Sequence, residues 1–240
     1  MGIVLSTATK TKLAGVFGSF GWSGEAIDLI EGKLKDAGYR LGFEPIRVKF
    51  TPNDVTMQMC EETGTDFAQA LKKGKKVRAP IQPATSVEQA VGRILGSLCV
   101  VTAKQGDISS AMLASWVSQA SFNPPGLTIA VAKDRALEPL MHSGNQFVLN
   151  VLKEGNHLGL MKHFLKPFAP GENRFADVAS KEAENGCIIL DDALAYLECS
   201  VQSRMEIGDH WLIYATVDNG QVLNLDGVTA VHHRKSGTHY

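Results

Sequence analysis

The segment that most constrains this chain is Ser109–Gly126, a serine-rich stretch that ends in two consecutive prolines and a glycine. An extended strand would place Ser110, Trp116 and Ser118 of this stretch on one face. A strand that only fills a core carries Val, Ile and Leu, whereas small hydroxyl residues leave room and hydrogen-bond donors for a flat polar ligand. The stretch therefore predicts either a ligand-binding strand or an edge strand with one solvated face.

The composition is typical of a globular protein with one large or two small domains. The chain has 240 residues, of which 44% are apolar and 20% charged, and its formal net charge is −1. This balance supports hydrophobic cores and creates no global field for nucleic acid or an acidic membrane. The longest apolar run, Leu127–Ala132, is interrupted only by Thr128 and is too short to span a membrane. The N-terminus lacks a secretory signal pattern, so we expect a cytoplasmic protein without nucleic-acid or membrane partners.

The cysteines and serines indicate neither a metal site nor a hydrolase. No C-x-x-C pair occurs, and no histidine stands at zinc-finger spacing, which favours reduced thiols. No serine lies in a G-x-S-x-G elbow or in the context of a catalytic triad. The four scattered cysteines are Cys60, Cys99, Cys187 and Cys199.

Residues 1–75 show the order strand, helix, strand, helix. Strands are predicted at Lys12–Phe20 and Pro45–Phe50, and helices are predicted to start at N-caps Ser23 and Asp54. This order predicts one β-α-β unit of a doubly wound sheet. Because two parallel strands cannot cover both faces of such a unit, we expect residues 1–75 to be the tail of a larger domain.

A change of composition separates this unit from the rest of the chain. Residues 72–85 are basic, contain two prolines and lack periodicity, and we interpret residues 76–85 as a linker. Residues 86–240 carry many short strands and few helices, which predicts a closed or partly closed β-barrel. A helix capped by Ser86 is expected to turn Val87 and Ile94 inward, and Asp218–Gly220 is expected to form a turn between two strands.

Three segments resemble the flavin reductase family: Ala114–Pro125, Phe147–Leu152 and Gly208–His210. The resemblance extends roughly over Val87–Val231. It implies a split β-barrel that binds FMN and reduces it with NADH or NADPH. The expected fold is therefore α+β followed by β, with an FMN-binding split barrel at residues 86–240 and a partial flavodoxin-like α/β unit before it.

The same resemblance implies which residues hold the flavin. Four consecutive residues are expected to line the isoalloxazine ring and the ribityl chain, and two more are expected to close the same loop. The prolines that follow end the strand because they lack backbone donors. The implied residues are Ser115, Trp116, Val117 and Ser118, followed by Ser121 and Asn123.

Four further polar residues are candidates for the site. Lys133 and Arg135 follow the next strand and would bind phosphate through charge-assisted hydrogen bonds. The family often has an Asn-Arg-Ser type of sequence at this corner, so a solvated turn is the alternative. Asn150 lies between apolar residues and is expected to bond either the cofactor or a neighbouring backbone group. By resemblance, His210 lies beside the flavin and the nicotinamide as the catalytic candidate, where it stabilises charge during hydride transfer or holds the dinucleotide.

A second resemblance involves the first unit. Gly15–Ala26 resembles the last flavin-contacting loop of the flavodoxin-like domain in the flavodiiron proteins, in which an aromatic residue lies beside an FMN ring. That role would belong to Trp22. The phosphate-binding loop of such a domain is not in this sequence, so Trp22 is expected to be vestigial or a partly buried surface aromatic.

The order of the two units resembles the C-terminal part of the diflavin flavodiiron proteins of oxygenic phototrophs. This implies an NAD(P)H-dependent FMN reductase module that passes electrons toward oxygen reduction by a flavodiiron-type system. The alternative is a degenerate FMN-binding or scaffold module that assembles with a full-length flavodiiron relative. The resemblance also implies a homodimer, because split-barrel flavin domains build their sites across a dimer interface.

Overall fold

The computed structural model describes residues 13–74, 84–106, 108–166, 168 and 172–237. The chain divides into two units, one formed by residues 1–75 and 167–172 and the other by residues 76–166 and 173–240. Most of the predicted linker at residues 76–85 lies outside the described residues, which resume at Ala84.

The first unit contains parallel strands joined by a helix. In chain order its elements are β1 (Leu13–Ala14), β2 (Phe17–Phe20), α1 (Glu25–Asp36), β3 (Arg40–Leu41), β4 (Ile46–Lys49) and α2 (Asp54–Gly74). Strand β2 runs parallel to β4, and β1 runs parallel to β3. Ile27 and Leu34 on α1 pack with Val16 and Tyr39 into a small core. The predicted β-α-β arrangement is therefore confirmed.

In both helices of the first unit, the N-cap lies one residue away from the predicted cap. Helix α1 begins after Gly24 rather than Ser23, and Gly24 has a left-handed backbone with φ 72°, which glycine adopts without strain. Helix α2 is capped by Asn53, because its Oδ1 accepts the backbone N–H of Thr56 at 2.9 Å. Asp54 is consequently the first residue of α2 and not its cap.

The second unit is built on a seven-stranded antiparallel sheet with the strand order β7-β6-β10-β13-β14-β9-β8. Its helices are α3 (Ser86–Val91), a 3-10 helix (Glu138–Leu140) and α4 (His157–Leu165). Its strands are β5 (Gly96–Ser97), β6 (Cys99–Gln105), β7 (Ile108–Ala114), β8 (Val117–Phe122), β9 (Pro125–Ala132), β10 (Gln146–Leu152), β11 (Ser180–Glu182), β12 (Ile188–Leu190), β13 (Ala193–Ile207), β14 (His210–Val222) and β15 (Val231–His232).

The strand order requires the sheet to curl into a barrel. Strands β7 and β8 form opposite edges of the sheet, although only Ser115 and Trp116 separate them in the chain. Such a short connection spans at most about 11 Å, so the two edges must lie close together. The sheet is therefore a barrel that remains open between β7 and β8, which confirms the split-barrel prediction. The predicted single strand through the serine-rich stretch is wrong, because the chain changes edge at Ser115.

The hydrophobic core fills the inside of this barrel. Alternate residues of each strand face inward, as Leu127, Ile129 and Val131 do on β9. Phe147 on β10 is fully buried and is the largest of these side chains. Burial of each such side chain contributes about 1.5–3 kcal/mol to folding. The packed barrel therefore holds the backbone of its edge strands, β7 and β8, in place.

The turn predicted at Asp218–Gly220 is absent. Strand β14 continues through these residues, and its register against β13 shifts so that Asp218 is the extra residue of a β-bulge. Asn219 also donates a side-chain hydrogen bond to the buried Glu198 carboxylate at 3.1 Å. The hairpin turn lies instead at Gly208, which has φ 54°. The long β13–β14 hairpin therefore ends beside His210.

The predicted inward face of α3 is also wrong. Thr85, not Ser86, caps this helix through a reciprocal capping box with Glu88. Val87 and Ile94 are 73% and 67% exposed, because a helix of six residues is too short to bury a continuous apolar stripe. Helix α3 instead contacts the C-terminal segment, where the Gly237 N–H donates to the Glu88 carbonyl at 2.7 Å.

Within the described parts of the chain, no helix is long and apolar enough to cross a membrane. The same residues contain no group of three or more His, Cys, Asp or Glu side chains placed to hold a metal ion. Three of the cysteines are buried, and burial raises the pKa of the Cys99 and Cys199 thiols to about 12.

Candidate functional site

Strand β8, which carries the second half of the serine-rich stretch, is an edge strand. It is hydrogen-bonded to β9 alone among the described strands. Ser118, Gln119 and Ala120 on β8 are exposed. The backbone N–H and C=O groups that point away from β9 are therefore not paired with another strand and can bind a ligand edge.

The start of β8 is held in place by a close backbone approach. A Cβ atom on Gly96 would lie 1.6 Å from the Ser115 carbonyl oxygen, so only glycine fits at this position of β5. Ser115 itself is buried, and the next carbonyl, that of Trp116, accepts the Ala130 N–H at 3.0 Å. These contacts fix the backbone at the break between β7 and β8.

A cavity of about 350 Å³ lies against β8 and is also lined by residues of six other strands. Its walls are mainly apolar, while Ser97, Ser118 and Gln119 add polar groups. The remaining lining residues are Cys99, Val117, Pro125, Gly126, Leu127, Leu149, Val151, Leu197 and Val217. An apolar cavity of this size with a few polar groups is typical of a small-molecule site. Two of the predicted flavin residues, Val117 and Ser118, therefore line the cavity.

A second group of predicted residues lies at the start of β8. The ring centroids of Trp116 and His210 are 4.8 Å apart, with a tilt of 40° between the planes. His210 stands opposite Ala132 in the β14–β9 register, and the Lys133 N–H donates to the Asp209 carbonyl at 3.0 Å. The end of β9 and the β13–β14 hairpin thus bring Trp116, Lys133 and His210 together.

The imidazole of His210 is oriented by its neighbour in the chain. Its Nδ1 lies 2.6 Å from Oδ1 of Asp209, and this hydrogen bond, followed by the histidine charge, lowers the pKa of the Asp209 carboxyl. The side chain of His210 is only 18% exposed, whereas that of Asp209 is 93% exposed. Because Nδ1 is engaged, Nε2 is the ring atom that is left to face a ligand.

Lys133 and Arg135, the two cations predicted to bind phosphate, differ in whether their charge is already paired within the protein. The Lys133 ammonium forms an ion pair with Glu206 and donates to the Gly208 carbonyl at 2.6 Å. The hydrogen bond from Lys133 to the Glu206 carboxylate also lowers the pKa of Glu206. Lys133 therefore ties the end of β9 to the hairpin, and its charge is largely compensated. Arg135 is half-buried and has no ion-pair partner among the described residues, so it remains the better phosphate candidate.

Ser121 and Asn123 occupy the β8–β9 hairpin rather than the cavity. The Ser121 hydroxyl donates to the Pro124 carbonyl at 2.6 Å and lies 3.2 Å from the Tyr214 hydroxyl. Asn123 is exposed at the turn. The geometry therefore gives Ser121 a role in shaping the hairpin and leaves Asn123 open to solvent.

The cofactor role predicted for Asn150 does not fit the structure. The neighbouring Leu149 faces the cavity, so the Asn150 side chain points to the opposite face of β10. Its Nδ2 donates to the carbonyls of Val100 and Ile188 at 3.3 and 3.2 Å, and its Oδ1 accepts the Leu190 N–H at 2.8 Å. Both amide donors are used, so Asn150 has the second predicted role, that of bonding the backbone.

Replacing Asn150 by alanine is expected to lower the free energy of unfolding by about 2–4 kcal/mol, because buried backbone groups lose their partners. The affinity for FMN should remain unchanged. Urea unfolding and a flavin titration would measure the two quantities. The matched control is Asn156→Ala, since Asn156 is exposed and makes no side-chain cap on α4. A loss of FMN affinity beyond tenfold in folded Asn150→Ala would show that Asn150 contacts the cofactor after all.

Sequence reasoning missed three residues that shape this site. Gly96 fixes the backbone at Ser115, Asp209 orients His210, and the guanidinium of Arg234 lies 5.0 Å from the Trp116 ring centroid. Asp209 and His210 are adjacent in the sequence, so the sequence alone could have indicated that Asp209 orients His210. Gly96 and Arg234 carry no local signal, because their contacts depend on strands that are distant in the chain.

Residues 91–238 match the flavin reductase like domain family. Over all of its residues, the chain is 82% identical to a relative from Nostoc sp. that carries the provisional name diflavin flavoprotein A 6. It is also 52% identical over 239 residues to diflavin flavoprotein A 1 of Synechocystis sp.. The chain covers 42% of each of these proteins, so it spans about two fifths of the length of the curated relatives that it matches.

Solved structures of similar fold include the NADH:FAD oxidoreductase of Streptomyces globisporus C-1027. That structure has a TM-score of 0.56 and 25% sequence identity, over 60% of this chain and 85% of that one. A protein from Sinorhizobium meliloti 1021 that is described as an oxidoreductase has a TM-score of 0.54 and 30% identity, over 61% of this chain and 49% of that one.

Proposed function

Because this chain belongs to the flavin reductase like domain family, we propose that its second unit binds FMN and reduces it with NADH or NADPH. The observation that carries the proposal is the edge strand β8, which has an apolar cavity along it and the Trp116–His210 pair at its start. Edge strand β8 thus offers backbone groups and an apolar pocket, and His210 on β14 brings an imidazole to its start.

The residues of the cavity fit the ring system of a flavin. The isoalloxazine ring is flat, apolar on its faces and polar at its edge, and the cavity combines apolar walls with Ser97, Ser118 and Gln119. Val117 would pack against the ring, while the unpaired backbone of β8 would hydrogen-bond its edge. When bound, the flavin supplies the redox chemistry, since it accepts a hydride from the nicotinamide. Arg135 is the residue we assign to the flavin phosphate, because its charge is not compensated.

His210 is the residue we assign to the nicotinamide side of the site. Asp209 accepts the Nδ1 hydrogen of this imidazole, so Nε2 accepts a hydrogen bond from a bound ligand when the ring is neutral and donates one when the ring is protonated. Trp116 lies against the same imidazole and excludes water from that face. The support for this role is geometric, since His210 is oriented, partly buried and adjacent to the strand that lines the cavity.

The electrons are proposed to pass from this module to oxygen reduction by a flavodiiron-type system. The support comes from the relatives named diflavin flavoproteins, which the chain matches over its whole length. The system would be either a longer polypeptide that includes these units or a separate full-length relative. We assign no flavin contact to the first unit. Its Trp22 side chain is 96% exposed, so the expectation of a partly buried aromatic is wrong.

The visible absorption spectrum of the purified chain tests the proposal directly. We expect one FMN per chain after desalting, and bleaching of its absorbance when NADH or NADPH is added under anaerobic conditions. Free FMN mixed with the same nucleotide is the control for uncatalysed reduction. A chain that retains no flavin and accelerates no reduction would contradict the reductase function and favour the scaffold alternative.

We also propose that the second unit forms a homodimer. Several of its large apolar side chains are exposed, among them Phe122 on the β8–β9 hairpin (88%) and Met205 and Ile207 at the end of β13 (57% and 48%). Met205 and Ile207 lie two residues apart on the same face of β13, and an exposed apolar surface of this kind is a candidate interaction surface. Light scattering should give twice the 25.9 kDa chain mass, and the variant Met205→Ser/Ile207→Ser should shift it toward the monomer. A monomeric wild type with full FMN occupancy would refute the dimer.

A further inference from the structure

Arg234 lies on the segment that follows β15, far from the serine-rich stretch in sequence. Strand β15 pairs with β5 so that His232 stands opposite Gly96. Gly96 in turn packs on the Ser115 carbonyl, at the start of β8. This succession of contacts carries Arg234, two residues beyond His232, to the candidate site.

The side chain of Arg234 is buried against an aromatic ring of the site. The residue is only 9% exposed, and its guanidinium carbon lies 5.0 Å from the Trp116 ring centroid. A cation at this distance is attracted by the negative face of the indole. One Nη atom also donates to the Ile94 carbonyl at 3.5 Å, which is the long limit for a hydrogen bond.

These contacts leave the charge of Arg234 without a counter-ion. A guanidinium has five N–H donors, and no carboxylate in the described parts of the chain pairs with this one. Burial, followed by the charge of Arg234, lowers the pKa of His232, so the surroundings already disfavour a second cation. A buried charge is costly unless it is paired, and an anionic ligand would supply the missing partner.

Two other cations that lie near an aromatic ring differ from Arg234 because each has a carboxylate partner. Arg204 lies 3.9 Å from the Trp211 ring centroid and is also largely buried, yet it forms an ion pair with Glu138. Lys133 lies 5.6 Å from the same ring and pairs with Glu206. Both have a carboxylate within the protein, whereas Arg234 does not.

We infer that Arg234 is an anion-binding residue of this site, which receives a phosphate oxygen of a nucleotide bound beside Trp116. The inference rests on the proposed function, since FMN and the nicotinamide dinucleotides both carry phosphate. The planar fork of arginine matches two phosphate oxygens, and the cation–π contact holds that fork in place. Either nucleotide can be the source of the phosphate, and the two are separated by experiment.

The first test compares FMN with riboflavin, which lacks the phosphate. Arg234→Gln should weaken FMN binding about tenfold to a hundredfold and leave riboflavin binding unchanged, while Arg234→Lys should restore part of the affinity. Lys235→Gln is the matched control, because it removes the same charge from an exposed neighbour. If FMN binding is intact but the KM for NADH or NADPH rises by a similar factor, the phosphate belongs to the dinucleotide.

Two outcomes would overturn the inference in a variant whose circular dichroism shows an intact fold. One is an Arg234→Gln protein with unchanged FMN affinity and unchanged nicotinamide KM. The other is an equal loss of riboflavin and FMN binding, since Arg234 would then act only by supporting Trp116.

A second test does not depend on flavin reduction. Millimolar inorganic pyrophosphate should shift the indole N–H signal of Trp116 in the nitrogen–proton NMR spectrum of the wild type, but not of Arg234→Gln. The signal can be assigned with Trp116→Phe. Absence of the shift in the wild type would refute the anion site even if the chain reduces FMN. Its presence in a chain that binds no flavin would support the anion site and reject the reductase.

Discussion

Replacing His210 by alanine is expected to lower the rate of anaerobic FMN reduction by NADH or NADPH by about a hundredfold, the usual scale for loss of one proton-donating or charge-stabilising group. The reason is geometric. The imidazole lies against Trp116, its Nδ1 is engaged by Asp209, and Nε2 remains for the ligand. Stopped-flow absorbance of the bound flavin measures the reduction step without interference from the later electron acceptor.

The control for His210→Ala is His142→Ala. His142 is exposed and contacts Arg204 outside the candidate site, so its loss should change the rate less than twofold. FMN affinity should stay within about threefold in both variants, because neither histidine lines the cavity. Equal reduction rates in His210→Ala and the wild type would remove His210 from the mechanism and leave Trp116 and Arg234 as the residues that orient the dinucleotide.

Replacing Gly96 by alanine is expected to lower the free energy of unfolding by more than about 2 kcal/mol and to weaken FMN binding at least tenfold. The added methyl group would lie 1.6 Å from the Ser115 carbonyl oxygen, so the backbone of β5 or of the β7–β8 break must move. That break carries Trp116 and leads directly into Val117, which lines the cavity. Urea unfolding and a fluorescence titration with FMN would measure both effects.

Gly159→Ala is the matched control for the same chemical change. Gly159 lies within α4 with no atom within 4 Å of an added Cβ, so alanine should be neutral or stabilise the helix by about 0.5–1 kcal/mol. If Gly96→Ala were as stable as the wild type and bound FMN normally, the close approach of β5 to Ser115 would not position the site.

The sequence predicted the architecture better than its local details, for a physical reason. Burial patterns extend over whole strands, so the many short apolar segments of residues 86–240 were sufficient to predict a β-barrel. Caps and turns depend on single side chains and on packing with distant segments. The Asp-Asn-Gly sequence at residues 218–220 is typical of a hairpin turn, yet pairing of Asn219 opposite Glu198 keeps it within the sheet.

The candidate site was predicted only in part, because some of its residues lie in continuous sequence motifs and others depend on contacts with distant segments. Ser115–Ser118 and His210 belong to motifs that are continuous in sequence, and the structure brings Trp116 and His210 into contact. Asn150 has the same residue type and apolar surroundings that a cofactor ligand on a strand would have. Asn150 is excluded as a cofactor ligand only because its side chain points away from the cavity. There it bonds the backbone of Ile188 and Leu190, which lie about 40 positions away in the sequence.

The pairing of β5 with β15 brings the first and last described segments of the second unit together. Residues 88 and 237 are joined by a backbone hydrogen bond of 2.7 Å, so the path of the chain through this unit is nearly a closed ring. Such a unit is suited to circular permutation. A short linker would join residues near 88 and 237, and the new termini would be placed in an exposed loop. In a natural polypeptide, the same geometry allows the unit to be inserted into a loop of another domain without pulling β5 away from Ser115.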